Sequence, residues 1–249
     1  MTDRVRTLRD AAAFVDRAGL ALVFAKEGVP LPSLHEAVAG ADARWVEERD
    51  DGKLAMTPEL AMVWAWKDEL AEARLACAGK HVRGWPALVS VALLPSLYTL
   101  TGRSGAPADF RDVVLPPLER EVAEAVLDAA PADALDVRRA VGLRDTRRVA
   151  RAIDSLQRQL VLTRAGTIRR ERGWPATAYD VLPRRYEMNR LPEPEVARAR
   201  LAAAVLRAAG DLAPVELSRL LGLGRAEAAA ALERAKSGGP GARRALLLP

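Results

Sequence analysis

The chain has a single cysteine, Cys77, in 249 residues, so it can form no internal disulfide and no cysteine-based metal site. Its two histidines, His35 and His81, lie far apart without metal-ligand spacing. Aromatic residues make up 4% of the chain, which disfavours extensive sheet. Only five of the 38 basic residues are lysines (Lys26, Lys53, Lys67, Lys80, Lys236), and Gln157 and Gln159 are the only glutamines. No apolar run reaches the length of a membrane span, and the opening MTDRVRTLRD is too charged to begin a signal peptide. A phosphate-binding glycine loop, a nucleophile elbow and a metal motif are all missing. These absences lead to the expectation of a soluble cytoplasmic protein with no cofactor, no metal and no membrane partner.

What is abundant is alanine, leucine, valine and arginine. Half of the residues are hydrophobic, enough for a substantial core, and the composition favours helices. The net charge is +5. A GC-rich genome accounts for a bias toward arginine, so the placement of the arginines carries the information. Residues 1–137 have a net charge of −7, residues 138–190 of +9, and residues 191–249 of +3. Two turn-rich joints, TGRSGAPAD (101–109) and NRLPEPE (189–195), divide the chain into pieces spanning roughly 1–104, 105–190 and 191–249.

The middle piece reads as three helices followed by a hairpin. PPLEREVAEAVLDAA places Leu118, Val122, Ala125, Val126 and Ala129 on one face, with prolines at its start. ADALDVRRAVGL is a short second helix ending near Gly142. RDTRRVARAIDSLQRQ is the third, capped by Asp145 or Thr146. LVLTRAG and ATAYDVL then flank the tip TIRRERGWP as two strands. This is the order of a winged helix. The last piece repeats the plan, with ELSRLLGLGRAEAAAALERA matching DVRRAVGLRDTRRVARAIDSL. It lacks the arginines and ends in a short apolar strand, RRALLLP, and it suits internal packing or homodimerisation. The front piece contains an amphipathic helix (TLRDAAAFVDRAG), a strand (LALVFA) and a charged hairpin or loop (WVEERDDGKLAM). A strong helix follows (ELAMVWAWKDELAEARLACAG), with Leu70, Leu75 and Cys77 among its apolar positions. A divergent winged helix is one reading of it. The expected fold is thus mainly α with small β-hairpins, in tandem winged-helix domains.

On a helical wheel Val149, Ala152, Ile153, Leu156 and Leu160 form one stripe of the third helix. Arg147, Arg148, Arg151 and Arg158 point almost opposite, with Arg144 and Ser155 on the same side. In a helix-turn-helix that outward face enters the DNA major groove, where arginine can read a guanine edge or hold a phosphate. The hairpin tip adds Arg169, Arg170 and Arg172 beside Trp174. A charged face is often only a solvated face. Here the face has no compensating acid at i±4 except Asp154, which lies off to one side, and the tip is basic too, so duplex DNA is the expected partner.

Three other patterns carry less. Gln157 and Gln159 point about 200° apart on a helix and cannot face one base; capping the end of a packed helix suits them better. In WAWKDEL, Lys67, Asp68 and Glu69 offer a base or a water-positioning carboxylate, while Trp64 and Trp66 suit an anchoring role. The tripeptide GWP occurs at Gly84–Pro86 and again at Gly173–Pro175, a turn signature.

PLPSLHEAV, WAWKDELAEARLACAGKHVRG and DVRRAVGLRDTRRVARAIDSLQRQLVLT together resemble the AlkZ-related branch of the YcaQ/AlkZ proteins. Those are bacterial winged-helix DNA glycosylases that excise alkylated or crosslinked bases. The resemblance implies tandem winged helices around a DNA-binding channel and a nucleoid-associated repair role. It also implies a catalytic Gln-x-Gln in the front half, yet residues 1–156 contain no glutamine. QRQ at 157–159 has the letters at the end of the arginine helix, where the role is not carried over. Three functions stay open: a DNA-binding relative of the glycosylases, an active alkylpurine glycosylase with a carboxylate such as Asp68 activating water, and a transcription regulator or interaction scaffold.

Overall fold

The computed structural model describes residues 4–41, 43–171, 173–188 and 190–238. In chain order the elements are α1 (Leu8–Ala18), β1 (Leu20–Leu22), α2 (Leu34–Ala39), β2 (Val46–Glu48), β3 (Leu54–Met56), α3 (Pro58–Glu72), β4 (Cys77–Val82), β5 (Trp85–Val89) and α4 (Leu94–Thr99). Then come α5 (Pro117–Ala129), β6 (Ala132–Asp133), α6 (Ala134–Ala140), α7 (Thr146–Arg158), β7 (Leu162–Ile168), β8 (Ala176–Val181) and α8 (Leu182–Arg185). The chain closes with α9 (Pro194–Ala209), α10 (Pro214–Leu221) and α11 (Arg225–Lys236). Helices dominate and the sheets are small and antiparallel, in agreement with the expected class. The expected strand RRALLLP lies outside the described residues.

The front and middle pieces share one succession. Each runs helix, short strand, helix, helix, two-stranded hairpin, and each folds its three strands with the last strand in the centre: β1-β5-β4 and β6-β8-β7. The first strand of each hairpin carries an irregularity, between Gly79 and Val82 and between Arg164 and Gly166. The front piece inserts the hairpin β2–β3 between its second and third helices. The two GWP tripeptides lie beside the two hairpin turns: Gly84 ends the β4–β5 turn and leads into β5, and the second precedes β8. The last piece, α9–α11, repeats the three helices. Gly222 after α10 stands where Gly142 stands after α6, both with positive φ.

Local chemistry explains the helix ends. Thr7 and Asp10 form a reciprocal capping box on α1. Asp133 caps α6 and Asp145 caps α7. One expectation is corrected here. The front helix does not continue to Leu75 and Cys77; α3 stops at Glu72, and Arg74 turns the chain with φ 57°. The amides of Leu75 and Ala76 fold back on the Leu70 carbonyl, and Arg185 donates to the carbonyls of Ala71 and Glu72. Cys77 therefore opens β4, fully buried, while Leu75 is exposed.

The front and middle pieces are joined reciprocally: α3 packs on β7, and α7 packs on β4. Gly166 permits the first contact, because a Cβ there would come within 2.9 Å of the Glu72 Cβ. The largest apolar cluster draws on all three pieces, with Leu20, Leu22 and Tyr98 from the first, Leu182 and Tyr186 from the second, and Leu201, Val205 and Leu217 from the third. Among the described residues, the segments between α4 and α5 and between α8 and α9 carry no strand or α-helix, and the core runs across both.

Candidate nucleic-acid interface

Helix α7 divides as its sequence pattern implies, with one correction: Leu160 lies past the helix end, at φ 58°, and packs in the cluster shared by all three pieces. Val149, Ala152, Ile153 and Leu156 are buried in a cluster with Val122, Val126 and Leu162. Arg144, Arg147, Arg148, Arg151 and Arg158 are exposed. Asp145 accepts hydrogen bonds from the amides of Arg147 (2.8 Å) and Arg148 (3.3 Å), which fixes the first turn beneath these side chains. Among the described residues, the guanidinium groups of Arg144, Arg147, Arg148 and Arg151 have no acidic partner. Asp154, the nearest acid along the helix, is taken by Lys80 of β4 at 2.5 Å.

The remaining expected contacts separate into three groups. Arg169 is exposed at the hairpin tip, and Trp174 is 91% exposed. Arg172 lies outside the described residues. Arg170, by contrast, faces inward: it pairs with Asp133 and with Asp136 at 2.7 Å. Asp133 is buried and already accepts from the amides of Leu135 and Asp136. Burial raises the pKa of Asp133, but hydrogen bonds from Arg170 and the two amides outweigh it and hold the carboxyl below its ordinary range. The sequence did not reveal this partner of Arg170. Ser155 is half-buried and accepts from the Gln159 amide at 3.2 Å, and Arg158 sits apart from the other arginines, across the turn at Gly84.

The two glutamines do not converge. Gln157 is 1% exposed; its Oε1 accepts from the Lys80 amide at 3.2 Å and its carbonyl accepts from His81 Nδ1 at 2.9 Å. Gln159 is exposed and donates to Glu119. Around Gln157 a buried polar seam joins α7 and β7 to β4. Thr163 donates to the Ala78 carbonyl and lies 3.3 Å from both Cys77 Sγ and His81 Nε2. Burial pushes the Cys77 thiol up to about 12 and the His81 imidazole down to about 4. The thiol is thus held protonated and the imidazole neutral.

The front-piece candidates lie in the same joint. Asp68 is clamped between Lys67 (2.5 Å) and Arg164 of β7 (3.4 Å). Burial lowers the pKa of Lys67, opposed by Asp68. Glu69 is exposed and outside this group, and Trp66 is buried in the front core. The sequence reading missed a surface stack. Phe24 lies 4.7 Å from Trp45 and 6.1 Å from Trp64, with His35 edge-on to Phe24 and Trp45. These residues are dispersed along the chain, from the segment after β1 to α2, the segment before β2 and α3, so no local pattern announces the stack.

A family model for AlkZ-related proteins matches residues 5–222. The chain belongs to the AlkZ-related family. That agrees with the resemblance seen in the sequence and makes this a relative of DNA-repair glycosylases. The match spans both similar pieces and the first two helices of the third. No curated protein and no solved structure matches the chain. No helix among the described residues is long and apolar enough to cross a membrane.

Proposed function

We propose that this AlkZ-related protein binds duplex DNA, with α7 as the recognition helix of a winged helix made of α5, β6, α6, α7, β7 and β8. The observation that carries the reading is the uncompensated row Arg147, Arg148 and Arg151 on a helix whose opposite face fills a core. An α-helix fits the DNA major groove and not that of RNA, which favours the DNA duplex. Arg144 flanks the row. Arg169 and the exposed Trp174 supply a tip able to reach an adjacent groove. The front piece, with the same strand order, is read as a second winged helix and α9–α11 as the helices of a third, winged-helix-like unit. Membership of the AlkZ-related family supports a role in DNA repair, which we read as work on nucleoid DNA.

The structural role of Asp68 in the α3–β7 joint supports a binding protein over one that activates water there. Incubation with alkylated duplex, scored for abasic sites, separates the two. Excision abolished by Asp68→Asn, with the fold retained, would restore the catalytic reading.

Binding is tested by salt titration of a duplex. With about five phosphate contacts, log K falls against log salt with a slope of about −4.5. The double change Arg148→Glu and Arg151→Glu lowers affinity roughly 100-fold or more. Unchanged affinity in that variant would move the interface elsewhere, and absence of binding at about 50 mM salt overturns the reading.

A further inference from the structure

At the far end of α7 a cleft of about 420 Å³ opens between the β4–β5 turn, α4 and the end of α10. Three arginines border it, Arg83, Arg158 and Arg219, beside the apolar Leu97 and Leu220. No carboxylate lines it, and none of the three guanidinium groups has an acidic partner among the described residues.

The surrounding backbone is arranged to gather these groups. Val82 pairs with Trp85, so Arg83 and Gly84 form a two-residue hairpin turn, with φ 52° and 81°. Such a turn favours asparagine or glycine at its first position, and a long side chain there sits in a strained conformation. Arg83 keeps it and donates to the Arg219 carbonyl at 2.5 Å. At Gly84 a Cβ would come within 3.2 Å of Arg158 Cδ, so the missing side chain lets Arg158 lie across the turn. Closing the C-terminal end of α10, where a cation is favoured, occupies one N–H of Arg83. Arg158 and Arg219 have no counter-charge among the described residues.

We propose that this cleft is a phosphate-binding site, in which the forked guanidinium groups of Arg83, Arg158 and Arg219 share one phosphate group. The phosphate comes either from a DNA backbone continuing beyond α7 or from a free phosphorylated molecule. The inference goes beyond duplex binding by the α7 face and stands if that face fails its own test.

The experiment compares the full chain with the double variant Arg83→Gly, Arg219→Gln. Glycine relaxes the strained turn, so the fold is kept; Arg219→Gln alone, at an exposed position, is the second variant. Inorganic phosphate is titrated calorimetrically at constant ionic strength, and a 30-base-pair duplex is titrated against salt. If the source is a free molecule, wild type binds phosphate saturably, the variant binds it at least tenfold more weakly, and duplex affinity is unchanged. If the source is the DNA backbone, the variant loses about tenfold in duplex affinity and its salt slope becomes shallower by about 1. Equal phosphate binding by both proteins overturns the proposal. So does an absence of phosphate binding with an unaltered duplex slope, including the case where Arg83→Gly merely lowers stability as a lost helix cap would.

Discussion

Arg147 and Arg170 are alike in the sequence and opposite in the fold. Both occur in arginine pairs on the basic middle piece, yet Arg147 faces out and Arg170 is held by Asp133 and Asp136. Arg170→Ala is expected to destabilise the fold only modestly, because the pair is partly exposed to solvent. Urea unfolding measures it. Duplex affinity should stay within about twofold; a tenfold fall would put Arg170 on the DNA. His81 sets a pH dependence at the same scale. The fold holds its imidazole neutral with a pKa near 4, below the ordinary value of 6.5. The unfolded chain therefore binds a proton first, and stability is complete above pH 6.5 and falls as the pH drops toward 4. Between pH 7 and pH 5 the loss from this group is about 2 kcal/mol. His35, also lowered by burial, acts in the same direction. Denaturation of His81→Gln at the two pH values should show a smaller difference than wild type.

At the scale of elements, α7 was legible because its stripes repeat at the helical period and Asp145 marks its start. Its exposed arginines follow from the same pattern. The duty of Gln157 did not, since its partners on β4 lie some eighty residues away in sequence. Gln157→Ala leaves the Lys80 amide without its acceptor and should cost about 1–3 kcal/mol. Amide exchange along β4 should quicken before exchange in α5; unchanged protection of β4 would deny Gln157 its place in the joint. The end of α3 escaped the sequence reading for a related reason. ARLACAG keeps a helical composition, and the stop is imposed by Arg74 in a positive-φ conformation with Arg185 from α8 closing the helix end. The two GWP turns were visible as turns. Their equivalence became visible only when both hairpins were seen in sheets of the same strand order.

For the molecule as a whole, the composition drift suggested three pieces, and the packing fuses them. Leu94 and Tyr98 share one cluster with Tyr186 and with Leu201 and Val205 of α9. A single cooperative heat-capacity peak is therefore expected, in place of separate transitions for the pieces. A chain ending after residue 190 should leave that cluster open to water and lose cooperative unfolding; a stable, monomeric 1–190 fragment with a sharp transition would show the pieces to be independent. The reciprocal contacts of α3 with β7 and α7 with β4 tie the two similar pieces in the same way, through Asp68 with Arg164 and Asp154 with Lys80.

The sequence by itself determined the helical class, the hairpin after α7, the arginine face and the family, because each rests on local periodicity, capping chemistry or an ordered set of motifs. Tertiary structure alone decided which arginines are left uncompensated, that Asp68 and Gln157 serve a joint, and that Arg83, Arg158 and Arg219 meet at one cleft. Those outcomes depend on partners far apart along the chain, and neither charge nor burial of a side chain is fixed until its neighbours in space are.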